Sequence, residues 1–201
     1  MPPRTRFNQT MIVEAAVQLA QAGGLSAVTA RSVAAELGCS TGPIFSNFAT
    51  MDELHEALIE HIIALFSAAM APEPGDDPLM VAGTAMVRFA ADQPRLYETL
   101  FLTHHPYHAK WGPIRRRIAG WMATHPRYAT LSEADRFGLV GRASVIAHGL
   151  GVEVWSGRLP APTPTQLRAL LTQLAVPVLD AALDNGWTDD IHSSPSPRTA
   201  T

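Results

Sequence analysis

The stretch TARSVAAELGCSTGPIFSNF, residues 29–48, decides how the rest of the chain is read. Val33, Ala34 and Leu37 recur at helical spacing, Gly38 stops that helix, and Ser40 is placed to cap a second one. Thr29 suits the N-cap of the first helix, because its hydroxyl can accept from an otherwise orphaned backbone N–H. In the second helix Ile44 and Phe48 lie four apart and face inward, which leaves Thr41, Gly42, Pro43, Phe45, Ser46 and Asn47 on the outer side. Two short helices around a tight turn are the grammar of a helix-turn-helix. The outer groups are small, polar or flat, as a helix entering a major groove requires.

Upstream, a helix from about Asn8 buries Ile12, Ala15, Ala16 and Leu19 and ends at Gly23-Gly24. Arg4 and Arg6 form a short arm before it, either reaching DNA or simply solvated. Downstream, Thr50 caps a helix from Met51 to about Met70, with Asp52 and Glu53 well placed in its first turn. Leu54, Leu58, Ile62 and Leu65 make one apolar stripe along it and Ile59, Ile63 and Phe66 another, the pattern of a helix covered on two sides.

With IVEAAVQLAQAGGLSAVTARSVA before the turn and ATMDELHEALIEHI after it, the first quarter of the chain resembles the DNA-binding domain of the TetR family of transcriptional regulators. The likeness rests on the coincidence of the Ala-rich first helix, the Gly-Gly stop, Thr29, Gly38, Ser40, Gly42, Phe45, Phe48 and Glu53-Leu54. It implies an all-α chain: an N-terminal helix-turn-helix domain of three helices over 1–50, a linking helix over 51–70, a helical ligand-binding and dimerisation domain over 71–186, and a tail over 187–201 that reads as disordered. It also implies a homodimer paired through the last two long helices, double-stranded operator DNA and a small-molecule effector as partners, and no cofactor. QPRLYETLF (93–101) and His148-Gly149 further resemble the WHG-type subgroup, although Ser144 stands where that motif has its tryptophan.

The DNA-contact set implied is Arg31, Ser40, Thr41, Gly42, Pro43, Phe45, Ser46 and Asn47. Asn47 is suited to an adenine, Pro43 to a thymine methyl, and Ser40, Thr41 and Ser46 to phosphates. The chain departs from the family where Met51 replaces a usual lysine, Phe45 a tyrosine, and Thr41 a frequent lysine or arginine. From Met1 to His55 the only cations are Arg4, Arg6 and Arg31, against Glu14, Glu36, Asp52 and Glu53. A weak salt dependence follows, and so does a rival expectation: a helical ligand-binding module without DNA affinity. A ligand-dependent activator carries the same signals.

Past the linking helix, APEPGDDP (71–78) is a loop, and Asp77-Pro78 opens a helix burying Val81, Ala85 and Phe89. PRLYETLFL (94–102) is a short helix. Another begins at Pro113 and carries Arg115, Arg116 and Arg117, which span most of a turn and read mainly as solvated charge. Ser132 opens a long helix to about Ser156 that is rich in Gly, Ala and Ser, a surface another helix can approach closely. Thr163-Pro164 opens the last, with Leu167, Leu170, Leu171, Leu174, Val178 and Leu179 along it and an expected kink at Pro177. Met86, Phe89, Tyr97, Phe101, Thr103, Trp111, Trp121, His148 and Trp155 are the candidate effector-binding residues, with plain core packing as the alternative for each.

Length and composition bound the function. The chain has 201 residues, 47% hydrophobic and 16% charged, with net charge −3, so it can bury a sizeable core but lacks a broad nucleic-acid-coating surface. One cysteine, Cys39, excludes an intrachain disulfide and a multi-cysteine metal site. His104, His105 and His108 invite a metal reading, but Pro106 and the lack of adjacent acids favour a surface cluster, so no metal is expected. No phosphate loop, nucleophile elbow or paired-carboxylate motif marks an enzyme. No apolar run reaches the ~18 residues of a membrane span, so the expected location is the cytoplasm.

Overall fold

The computed structural model describes residues 7–184, all of whose regular structure is helical. Arg4, Arg6 and the tail 187–201 lie outside these residues. Helix α1 (Gln9–Gly23), α2 (Ala30–Glu36) and α3 (Gly42–Asn47) form the N-terminal unit, and α4 (Met51–Ala68) leads out of it. The remainder comprises α5 (Pro78–Asp92), α6 (Pro94–Tyr97) continued by a π turn (Glu98–Leu102), a 3-10 segment (Pro106–Trp111), α7 (Gly112–Met122), α8 (Glu133–Trp155) and α9 (Pro164–Asp184).

Local chemistry sets these boundaries. Asn8, Thr29, Thr50 and Ser132 each accept from the backbone N–H three residues on, and Asp77 accepts from Leu79 and Met80. Thr29 and Ser32 form a reciprocal box, as do Thr163 and Gln166. Gly38, at φ +63°, closes α2: the N–H of Cys39 donates to Ala34 O at 2.9 Å and that of Gly38 to Ala35 O at 3.1 Å, a Schellman turn.

A continuous apolar core runs from α1 through α4 into α5, α7, α8 and α9. Ile12, Ala15 and Ala16 are buried as expected, with Val13, Val17 and Ala20 added, while Leu19 is half-buried. In α4 the expected cover is incomplete on both stripes, since Leu65 of the first is exposed and Ile63 of the second half-buried. The glycine-rich helix packs within its own chain: a Cβ on Gly83 of α5 would meet Leu171 of α9 at 3.4 Å and Ala147 of α8 at 3.7 Å. Helix α8 is the one described helix with the length and hydropathy of a membrane span, and it packs against α5, α7 and α9. Helix α9 runs through Pro177 as one element and sorts its leucines into two rows. Leu167, Leu171, Ala175 and Leu179 are buried, whereas Leu174 is 46% and Val178 40% exposed.

Candidate functional site

Two regions could meet partners, and the first is the outer side of α3. Ile44 is 1% exposed and Phe48 is buried, while Phe45 is 49% exposed, so the helix divides as its spacing predicts. Arg31, Ser40, Gly42, Phe45 and Ser46 are exposed, and Thr41 and Pro43 partly so. Ser40 is not the cap: the N-cap position falls at Thr41, whose side chain makes no capping bond, and Pro43 sits in the first turn where a missing N–H costs nothing. Asn47 also departs from the expectation. Its side-chain nitrogen donates to Pro43 O at 2.9 Å and to Phe7 O at 3.4 Å, and its backbone carbonyl accepts from the Gln9 side chain at 2.8 Å. A bidentate pair to adenine needs that donor, so Asn47 instead fastens the end of α3 to the start of α1. Ser46 likewise spends its proton on Gly42 O at 3.0 Å.

Side chains of α4 hold this unit in place. Glu53 accepts from the Ala49 N–H at 2.8 Å, which fixes the turn from α3 into α4, and His55 Nε2 lies 2.9 Å from Val28 O ahead of α2. Met51 is half-buried against the core. Cys39 is partly buried within the turn.

The second region is a cavity of about 350 Å³ among α4, α5, α7 and α8, a size suited to a small organic ligand. Phe66, Phe101 and Trp111 build one wall, with Phe66 edge-on to both of the others and Phe101 4.7 Å from Trp111 between ring centres. Met86, Ser144 and His148 line other sides, and Val145, 65% exposed, stands at the mouth. Four of the nine expected residues are therefore brought together: Met86, Phe101, Trp111 and His148.

The other five are not in the wall. Phe89 packs edge-on against Phe66 at 5.4 Å and faces a second depression across α5, whose rim mixes Asp76, Asp92, Arg88 and Arg168. Tyr97 is fully buried behind His148. Thr103 ends the π turn, donating its backbone N–H to Glu98 O. Trp121 lies under the Arg117 guanidinium at 5.1 Å, and Trp155 packs on the core. Reading by aromatic and polar type missed the aliphatic wall, Leu79, Leu100, Ile114, Ile118 and Val140. It also missed Arg115, which reaches the cavity while stacking on Phe137 at 4.5 Å. Arg116 and Arg117 are exposed, as solvated charge should be, although Arg117 also covers a ring; Arg115 is the partly buried one of the three. The only signal was a shared helical face: Gly141, Ser144 and His148 recur three and four apart on α8.

Burial pushes the pKa of Tyr97 up and that of His148 down, because each loses hydration of its charged form. Tyr97 Oη lies 2.9 Å from His148 Nδ1 and 3.2 Å from His148 O. The histidine run is not all surface: His105 is buried, with Nε2 3.3 Å from Leu100 O and Nδ1 accepting from the Tyr107 N–H at 3.3 Å.

A bridge joins the two regions. Trp111, in the cavity wall, ends the segment whose Tyr107 donates its hydroxyl to Asp52 O at 3.0 Å. In the same segment Lys110 meets Glu56 at 2.7 Å and Glu60 at 2.5 Å. All three partners lie on α4, directly after the turn from α3.

Residues 12–58 match the family described as bacterial regulatory proteins, tetR family. Among solved structures the chain is similar to a TetR-like transcriptional regulator from Rhodococcus sp. RHA1, at 20% identity over 86% of this chain and 95% of that one, with a TM-score of 0.58. It is also similar to a TetR variant from Acinetobacter baumannii AYE in complex with minocycline, at 16% identity over 92% of this chain and 100% of that one, with a TM-score of 0.60. No curated protein matches the sequence.

Proposed function

Residues 12–58 form a tetR-family N-terminal domain on a TetR-like fold, and from that premise we propose that the chain works as a homodimeric repressor. It leaves a near-palindromic operator when a small, largely hydrophobic or aromatic effector enters the cavity. One observation carries this reading: a six-residue helix buries Ile44 while holding Phe45, Gly42 and Ser46 outward, a surface that can enter a major groove unobstructed. Arg31, Ser40, Thr41, Gly42, Pro43, Phe45 and Ser46 make the contact, mostly through hydroxyls, backbone and the Phe45 ring.

The outer row of α9, with Leu174 and Val178 exposed, supplies an apolar face for a second copy. Two-fold pairing sets the two reading heads about one duplex turn, ~34 Å, or a multiple of it apart. Effector in the cavity bears on Phe101 and Trp111. Trp111 shifts Tyr107 and Lys110, and these tilt α4 until the heads no longer fit both half-sites. Such a ligand acts only through its differential affinity for the two arrangements.

The test is footprinting of the purified protein on the DNA flanking its own gene at low salt. Protection of a near-palindrome, relieved by an effector, is the expected result. A second reading has its own support: with Met51 half-buried, Phe45 lacking a hydroxyl and Arg31 the one described cation of the N-terminal unit, the chain is a ligand-binding module without DNA affinity. Absence of any protected site, alongside intact ligand binding, would establish that alternative.

A further inference from the structure

The cavity has one polar corner whose hydrogen-bonding sense can be worked out. Tyr97 is fully buried, and its hydroxyl faces two groups of one residue: His148 Nδ1 at 2.9 Å and His148 O at 3.2 Å. A phenol has a single proton to give. Both contacts are hydrogen bonds only when that proton goes to the carbonyl and Nδ1–H donates to the phenol oxygen. Any other arrangement leaves one of two close, largely dehydrated polar contacts unmade.

The tautomer follows. With the proton on Nδ1, Nε2 carries a bare lone pair on the ring edge away from Tyr97. His148 lines the cavity and Tyr97 does not, and with Nδ1 turned to Tyr97 the edge left for a ligand in the cavity is that of Nε2. Among the described residues Nε2 has no hydrogen-bond partner. The backbone is shaped around this contact: a Cβ on Gly151 would sit 2.6 Å from Tyr97 Oη, so only glycine there lets the tyrosine reach the helix.

We propose that the cavity selects flat apolar molecules bearing a hydroxyl, phenols in the first instance. Their O–H donates to His148 Nε2 while the ring lies among Phe66, Phe101 and Trp111. His148 is the recognising residue, and Tyr97 is a positioning residue that sets its tautomer. A carboxylate has no proton to offer that corner and is disfavoured there. This inference rests on the cavity being the effector site, as proposed above.

The test uses the full chain and four probes: 2-naphthol, 2-methoxynaphthalene, naphthalene and 2-naphthoate, with binding followed by calorimetry or naphthol fluorescence. The expected result is 2-naphthol tighter than its methyl ether and than 2-naphthoate by about tenfold, the worth of one buried hydrogen bond. His148→Leu should erase that ratio while naphthalene binding persists. His148→Gln, whose amide oxygen can accept, should restore part of it, and Tyr97→Phe should lower it with folding intact by circular dichroism.

Equal affinities for naphthol and its ether overturn the proposal. So does a preference for 2-naphthoate, which would make Arg115 the recognising group. Failure of all four probes to bind overturns it together with the effector-site reading. Naphthol selectivity with no effect on DNA leaves it standing and removes only the repressor reading.

Discussion

Gly38 and Gly42 sit four residues apart and should respond differently to the same change. Gly38 has φ +63° and open space where a Cβ would go, so Gly38→Ala carries a conformational cost alone, about 1–2 kcal/mol, to be read from denaturant unfolding. At Gly42 the φ is ordinary and a Cβ would meet only Ser40 Oγ at 3.6 Å. Gly42→Ala should therefore change stability by less than about 0.5 kcal/mol while weakening DNA binding, because in the proposed contact the added methyl would stand where backbone approaches the duplex. Equal destabilisation by both would remove the distinction. His148 offers a pH test. Burial holds its pKa below the ordinary 6.5, so the folded chain keeps it neutral in a range where the unfolded chain already binds a proton. Its contribution to stability is complete above the ordinary value and declines as pH falls toward the depressed one; hydroxyl recognition at Nε2 fails below that lower pKa. Naphthol affinity titrated downward from neutral pH should drop in the wild type, with no matching drop for His148→Leu. The turn glycine and the caps were legible from sequence because each depends on a few neighbouring residues. The engagement of Asn47 was not, since its partners Phe7 and Gln9 lie some forty residues away, just before and at the start of α1.

At the scale of elements, the segment from Thr103 to Trp111 matters more than its irregular look suggests. Its far end forms cavity wall, and its middle grips α4 through Tyr107–Asp52, Lys110–Glu56 and Lys110–Glu60. Lys110 is solvent-reachable, so these pairs add little to stability, but they fix where α4 lies relative to the cavity. Lys110→Met should leave effector affinity and DNA affinity each within about twofold, yet weaken the effector's ability to release DNA, since the coupling is a separate free energy from either binding event. Fluorescence anisotropy of labelled operator, with and without effector, measures it; an unchanged release would place the coupling elsewhere. The opposite end of the domain is fastened by Asp77, which caps α5 with one oxygen and accepts from Tyr128 at 2.8 Å with the other. Arg127 ties the same carboxylate to Asp180 of α9. Helix identity could be read from periodicity, but helix partnership could not. The small residues of α8 suit any close neighbour, and nothing local says that α5 takes that place through Gly83 and Ala147. The cavity wall was hidden for the same reason, because aliphatic residues around a void have the same sequence pattern as aliphatic residues around a core.

For the whole molecule, two measurements bear on the assembly and its grip on DNA. Leu174 and Val178 share the outer row of α9 and are only partly covered by the rest of the chain, so, if this row is the proposed dimer face, Leu174→Glu with Val178→Glu should leave the fold intact and give a monomer in sedimentation, with operator affinity lost because two half-sites are no longer bridged. A variant that stays dimeric would move the interface to another face. Salt dependence then gauges how the proposed dimer would hold the duplex. Each N-terminal unit has Arg31 exposed, with Arg4 and Arg6 before it in sequence, so six arginines at most can displace counterions and the slope of log affinity against log salt should be no steeper than roughly −5. A chain of net charge −3 adds no long-range attraction to compensate. Met51→Lys supplies one further cation per head at the start of α4 and should steepen the slope by about 2 while tightening binding at low salt. Phe45→Tyr, which adds a hydroxyl and no charge, should tighten binding without changing the slope. A steep wild-type slope, near −10, would mean that cations outside the N-terminal unit touch the backbone and that the contact extends well beyond α3.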